Sequence, residues 1–298
     1  MVNEHGLSDL RESIAKARLV YGDSIEVKLA GGSTETDWYE IVMCRPSTIP
    51  GYLRLPECIT KVDATSFINC NDIYKLEIES KHRIEIGNFA FSDCCNLREV
   101  SIKAPIYKIG DGAFEECTRL KEIEIHCGCI EIGGYAFKNT AIKELKIPES
   151  CQSIGDFVCM DCNSLESIIM PAYINCEKSN GNMLGFIEST KLKNIRLPEN
   201  LDCIHPFLVK KCVYTGKLTI PKSVKVIYRS AFEESYIKEL EMHSNIWIYP
   251  KAFWRLDIDK LVIKCINDKD YREMEEWVNG LGLYDVNVKE VAYERING

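Results

Sequence analysis

Apolar and polar residues alternate in short bursts along most of the chain, and the bursts recur at a nearly constant spacing. Each carries two aliphatic residues separated by one other residue: Leu76/Ile78, Val100/Ile102, Ile123/Ile125, Leu145/Ile147, Ile168/Met170, Ile195/Leu197, Leu218/Ile220, Leu240/Met242 and Leu261/Ile263. Period-two alternation bounded by turn residues predicts a short, half-buried strand. Pro148, Pro171, Pro198 and Pro221 follow four of these pairs, which ends the strand and turns the chain.

A second pattern precedes each burst. An anchor residue, usually small, recurs at Ser66, Ala90, Ala113, Ala136, Val158, Gly185, Leu208, Ala231 and Ala252, in steps of 21–27 residues. Four positions before it sits an aliphatic residue: Val62, Ile86, Ile109, Ile132, Ile154, Ile204, Ile227 and Ile248. One position after it sits a large residue, as at Phe67, Phe91, Phe114, Phe137, Phe186, Phe232 and Phe253. Nine such repeats cannot each bury an apolar face alone, but stacked neighbours can. The expected architecture is a solenoid with one parallel strand and a short helical segment per repeat, and with the Phe column as an internal spine.

Ile109, Gly110, Ala113, Phe114, Cys117, Leu120, Ile123 and Ile125 fall within one repeat. This arrangement resembles the BspA-like leucine-rich repeat family, over about residues 53–264. The resemblance implies an α/β, right-handed leucine-rich-repeat solenoid, of a kind found in bacterial surface and adhesion proteins and in some protists. Two repeats depart from the pattern, with Val158-Cys159 and Leu208-Val209 where Ala-Phe is expected. The longest step carries a polar insertion, Asn175–Asn182, expected to protrude as a loop.

The ends read as caps, which dictates a division into residues 1–51, 52–264 and 265–298. Leu7, Leu10, Ile14 and Ala17 share a helical face behind Ser8, a fitting N-cap. Ile25, Val27 and Leu29 alternate, and with Trp38–Met43 they predict a hairpin across Gly31-Gly32. After the last repeat, a helix is expected over residues 270–279, presenting Tyr271, Met274 and Trp277 or Val278, and then a strand at Val286 and Val288.

Charge narrows the choice of partner. Lys plus Arg number 37 against 45 Asp plus Glu, a net charge of −8. That argues against sequence-independent nucleic-acid binding, which needs a basic face. No apolar run reaches the roughly 18 residues of a membrane span.

The 15 cysteines are an odd number in a long chain, unlike the even disulfide framework of short secreted proteins. The opening Met1–Gly6 lacks the basic-then-apolar design of a signal peptide. Both point to a reducing, cytoplasmic setting; a secreted or cell-surface protein whose leader has been removed is the alternative. Cys70, Cys94, Cys117, Cys162 and Cys212 share the position four after the anchor, so they are expected to form a structural ladder of reduced, unmetallated thiols.

Candidate chemistry is thin. Cys159 and Cys162 form a C-x-x-C, but the repeat already accounts for both positions. His126, Cys127 and Cys129 supply at most three of the four ligands zinc needs, and His243 in the same column lies five repeats away. No phosphate-binding Gly-Lys loop, nucleophile-elbow serine or HExxH helix is present. No cofactor and no metal are expected. A thiol- or metal-dependent enzyme is the remote alternative.

The remaining candidate is the outward face of the strands, because residues two apart on a strand share a face. Glu99, Glu122, Glu124 and Glu144 make its first half acidic, and Arg196, Glu239 and Glu241 continue it. The expected function is a monomeric, non-enzymatic protein-interaction module whose partner presents a basic surface. An adhesin of the same fold is the alternative.

Overall fold

In the computed structural model, residues 25–29, 39–44, 51–55, 59–80, 82–173, 187–188, 191–281 and 285–296 are described. The chain winds into a solenoid of about eight turns made of stacked, parallel-stranded coils. It divides into two compact units, Met1–Ile142 with Ser153–Val158, and Lys143–Gln152 with Cys159–Gly298. The division falls at the first repeat that lacks the Phe, between Val158 and Cys159.

In the first unit the alternating bursts form a parallel front sheet in the order Tyr52–Leu55, Lys75–Ile78, Glu99–Ile102 and Glu122–Ile123. Leu53, Leu76, Val100 and Ile123 are register partners, and so are Leu55, Ile78 and Ile102. All of them are buried.

Beyond the expected single strand, each coil of the first unit carries a second one. Ile59–Val62, Ile84–Ile86, Ile106–Ile109, Glu131–Ile132 and Ser153–Ile154 build a parallel back sheet. The aliphatic residue four before each anchor is its inward position: Val62, Ile86, Ile109, Ile132 and Ile154 are all fully buried. The predicted hairpin is present as Ile25–Leu29 paired antiparallel with Tyr39–Cys44, and the latter pairs in parallel with Ile59–Val62. The hairpin thus covers the edge that a stacked sheet would otherwise leave open. The N-terminal helix, Gly31-Gly32, Trp38 and the Asn175–Asn182 insertion lie outside the described residues.

The segment around the anchor is a turn rather than a short helix in most described coils, and at Leu208 the turn runs into a two-residue strand, Val209–Lys210. The residues before the anchor and three after it have positive φ: Thr65/Asn69, Phe89/Asp93, Gly112/Glu116, Tyr135/Asn139 and Phe157/Asp161, with the same pairing in the second unit. Left-handed backbone is costly for residues other than glycine. Here most such residues donate their N–H to a carbonyl of the next coil, as Phe89 does to Asp111 at 2.7 Å, Asp93 to Glu115 at 2.8 Å and Glu116 to Lys138 at 2.9 Å. The turns therefore make a third hydrogen-bonded ladder beside the two sheets, and stacking holds the strained conformation.

The Phe column lies inside this ladder. Phe67, Phe91, Phe114 and Phe137 are fully buried and stack in sequence, with ring centroids 5.0, 5.4 and 6.0 Å apart. The cysteine column braces it. Cys94 Sγ donates to the Phe67 carbonyl and Cys117 Sγ to the Phe91 carbonyl, both at 3.1 Å. Ser235 does the same in the second unit, to Val209 at 2.9 Å. A small donor at this buried corner satisfies a carbonyl of the preceding coil, so the column accepts Cys or Ser.

In the second unit Glu144–Lys146, Ser167–Ile169 and Asn194–Arg196 form one front sheet. Val213–Thr219, Tyr236–His243, Asp257–Cys265 and Asn287–Arg295 form another. Cys203–Ile204, Val226–Ile227 and Trp247–Ile248 are the back sheet. The pairing of Ile187 with Val209 corrects the alignment: Ile187, not Phe186, stands opposite the Phe column. In this unit that column holds Cys159, Ile187, Val209, Phe232 and Phe253, and the last two rings stack at 5.4 Å.

The C-terminal helix spans Asp268–Gly280, with Asn267 as N-cap accepting from the N–H groups of Lys269 and Asp270. Met274 is buried, and Trp277 meets Phe253 edge-on at 5.4 Å. The helix therefore closes the end of the Phe column. Asn287–Arg295 then adds a last parallel strand beside Asp257–Cys265.

Candidate binding face

The front sheet of the first unit presents two outward rows. Tyr52, Lys75, Glu99 and Glu122 are register partners in one, and Arg54, Glu77 and Ser101 in the other. Most charges here answer one another. Lys75 Nζ lies 3.3 Å from Glu99, and Lys103 Nζ lies 3.3 Å from Glu77 and 2.6 Å from Glu79. Arg54 also pairs with Glu79, and the Tyr52 hydroxyl donates to Glu77. The Tyr52 bond and then Lys103 hold the Glu77 carboxyl below its usual range.

Glu122 differs. It is exposed and makes no ion pair among the described residues, although Glu99 is its direct register partner. Glu124, also exposed, has His126 at 3.8 Å as its one basic partner among the described residues. The open acidic surface of this unit is thus narrower than the sequence suggests and centres on Glu122 and Glu124.

The candidates in the second unit are largely committed to internal pairs. Glu144 is exposed and lies 2.9 Å from Lys146 on its own strand. Arg196 pairs with Glu149 and donates twice to the Met170 carbonyl, at 3.1 and 2.7 Å. Glu239 lies 3.1 Å from Lys217.

Glu241, expected to be outward and open, is instead 8% exposed. Lys217 at 2.6 Å and Lys264 at 2.8 Å, from the strands on either side, close over it. Burial pushes its carboxyl up, but hydrogen bonds from Lys217 and Lys264 outweigh this, and its pKa falls below the ordinary 4.5. A depressed carboxylate stabilises the fold above its unfolded pKa, and the stabilisation is lost as pH falls through the folded value. Glu241→Gln should therefore be less stable than wild type near pH 7 in urea titrations. The gap should close as pH drops well below 4.5; a gap independent of pH would show that the charge is not the cause.

The proposed metal and redox positions do not assemble. Cys127 is exposed, whereas Cys129 is buried with its thiol directed at the Glu131 carbonyl, 3.5 Å away. Among the described residues no group of three metal-ligating side chains forms. Cys159 and Cys162 are both buried, and hydrogen bonding to Cys162 together with burial raises the Cys159 thiol well above its usual value. That is the opposite of a redox-active thiol, whose pKa is lowered.

Two parallel sheets and a turn ladder, wound around an apolar column, define a leucine-rich-repeat solenoid. The chain belongs to the family described as BspA type leucine rich repeat region, which matches residues 84–184 and 184–270 in six copies. Solved structures agree on the fold. A leucine-rich cell surface protein from Faecalibacterium prausnitzii A2-165 is 17% identical, with a TM-score of 0.55 over 91% of this chain and 93% of that one. A leucine-rich repeat protein from Bacteroides ovatus is 19% identical, with a TM-score of 0.52 over 91% and 76%. The T. pallidum leucine rich repeat protein is 19% identical, with a TM-score of 0.50 over 70% and 87%. No curated protein matches the chain.

Proposed function

We propose that the protein is a non-enzymatic interaction module that binds a protein partner with a basic surface, through the front sheet of its first unit. Residues 1–51 and 265–298 act as caps on the repeat region of residues 52–264. The observation that carries the reading is the unanswered carboxylate of Glu122, held in register with Glu99 on a rigid sheet. Like charges directly opposite across strands cost stability. A basic partner would offset that cost and would be steered to the site by the field of the acids.

The alternative of a secreted or cell-surface adhesin is supported by one observation, the cell-surface protein of F. prausnitzii among the structural relatives. Both readings use the same face and differ in compartment.

The test is capture of partners from extracts of the source organism on immobilised wild type and on the Glu122→Lys/Glu124→Lys variant. The wild type should retain a basic protein that the variant loses, and the difference should shrink as salt rises. Folding stability should change by less than about 0.5 kcal/mol, as for exposed charges. A partner retained equally by both proteins at low salt places recognition elsewhere.

A further inference from the structure

The back sheet of the second unit carries a thiol–imidazole pair that the interaction function does not use. Cys203 and His205 are two residues apart at a back-sheet edge, so their side chains emerge on the same side. Cys203 Sγ lies 3.0 Å from His205 Nε2 and 3.3 Å from Asp202 Oδ1. Cys203 is not disulfide-bonded and is partly exposed. It lies outside the buried cysteine ladder.

Burial holds the His205 imidazole below its usual pKa, with Asp202 pulling the other way. The ring is therefore neutral near pH 7. With its proton on Nδ1, it offers Nε2 as an acceptor for the thiol proton. The Asp202 carboxylate opposes a standing thiolate but stabilises the imidazolium that forms when the proton moves.

The surroundings suggest what such a thiol meets. Cys203, Val226 and Trp247 are register partners on successive back-sheet strands. Beside them His205, Tyr228 and Tyr249 stack in order, with centroids 5.5 and 5.2 Å apart. Trp247 is 67% exposed and Tyr249 43%. The first unit has glycines in the column these rings occupy (Gly87, Gly110, Gly133 and Gly155), so the aromatic wall belongs to the second unit alone.

We propose that Cys203 is a nucleophilic modification site, with His205 as its base, that captures a soft carbon electrophile of the Michael-acceptor type carrying a flat apolar body. Nε2 of His205 takes the thiol proton as the S–C bond forms at the β-carbon of the acceptor. The π electron pair moves onto the α-carbon and carbonyl as an enolate. The imidazolium returns the proton to the α-carbon, which leaves a thioether and a neutral imidazole. The addition has no leaving group and no net redox change. The flat body lies along the Val226, Trp247 and Tyr228 side of the pair.

The experiment is timed labelling of the native protein with N-ethylmaleimide near pH 7, read cysteine by cysteine by peptide mass mapping. Cys95 is the internal reference, being exposed, with its thiol directed at the Glu116 carbonyl at 3.7 Å. Cys203 should react about tenfold faster than Cys95 or more, within the range a positioned base supplies. His205→Gln should bring Cys203 down to the Cys95 rate or below while Cys95 itself is unchanged. N-phenylmaleimide should widen the Cys203-to-Cys95 ratio relative to N-ethylmaleimide.

A wild-type Cys203 no faster than Cys95 rejects an activated thiol. A fast Cys203 that is indifferent to His205→Gln rejects His205 as the base. An unchanged ratio with the phenyl reagent rejects the apolar wall as part of the site. Labelling of the buried Cys117 or Cys159 in the variant would mean that it has unfolded, and the wild-type comparison then decides alone.

Discussion

Phe114→Ala should remove about 3–5 kcal/mol of folding stability, the usual loss for truncating a fully buried aromatic ring. Phe114 has no exposed surface and lies between Phe91 at 5.4 Å and Phe137 at 6.0 Å. Truncation loses apolar burial and both ring contacts, and it opens a cavity that cannot readily collapse. Collapse would require the coils to move together, and the flanking turns are tied coil to coil by Phe114 N–H to the Ala136 carbonyl at 2.9 Å and Phe91 N–H to the Ala113 carbonyl at 2.9 Å. Urea unfolding measures the loss. A change below about 1 kcal/mol would mean that the column is not the spine, since even modest core truncations exceed it.

Gly133→Ala should cost about 1–3 kcal/mol although it adds a single methyl group, because overpacking against fixed backbone forces the coils apart. A Cβ at Gly133 would lie 2.4 Å from Asp111 N and 2.6 Å from Gly110 C. Those are main-chain atoms of the preceding coil, so no rotamer change relieves the clash. The same holds at Gly155, where the nearest atom would be Gly134 N at 2.2 Å. Gly280→Ala is the control: nothing lies within 4 Å of a Cβ there. At the end of the C-terminal helix it should be neutral or stabilising by up to about 1 kcal/mol. Similar losses at both glycines would mean that coil-to-coil approach is not what demands Gly133.

The candidate face was only partly legible in the sequence. Strand alternation correctly set Glu99 and Glu122 outward in one row, because a period of two fixes the face of every residue in a strand. It did not reveal which charges would be answered. Lys75 reaches Glu99 and Lys103 reaches Glu77 from other coils, at sequence separations near one repeat, so pairing depends on how coils align. Glu241 is the sharpest case. Its alternation is that of an outward residue, yet lysines from both neighbouring strands cover it. The Cys203–His205 pair had a signal that went unused: two reactive residues two positions apart, the second in a column that holds Gly87, Gly110, Gly133, Gly155, Tyr228 and Tyr249 in other repeats.

The sequence by itself determined the repeat, the front strands and the buried Phe and cysteine columns. These rest on periodicity, and periodicity follows from local geometry: alternate residues of a strand face opposite ways, and equal steps return the chain to the same side. The tertiary structure decided what depends on one coil meeting the next. The second strand of each coil is only two to four residues long, too short to declare itself until a neighbour supplies its hydrogen bonds. The anchor segment carries apolar residues at spacings that suit a helix, yet it is a turn with two left-handed residues per coil. An isolated segment would avoid that conformation. In the stack most of the strained N–H groups find a carbonyl on the next coil, and the ladder so formed outweighs the local preference.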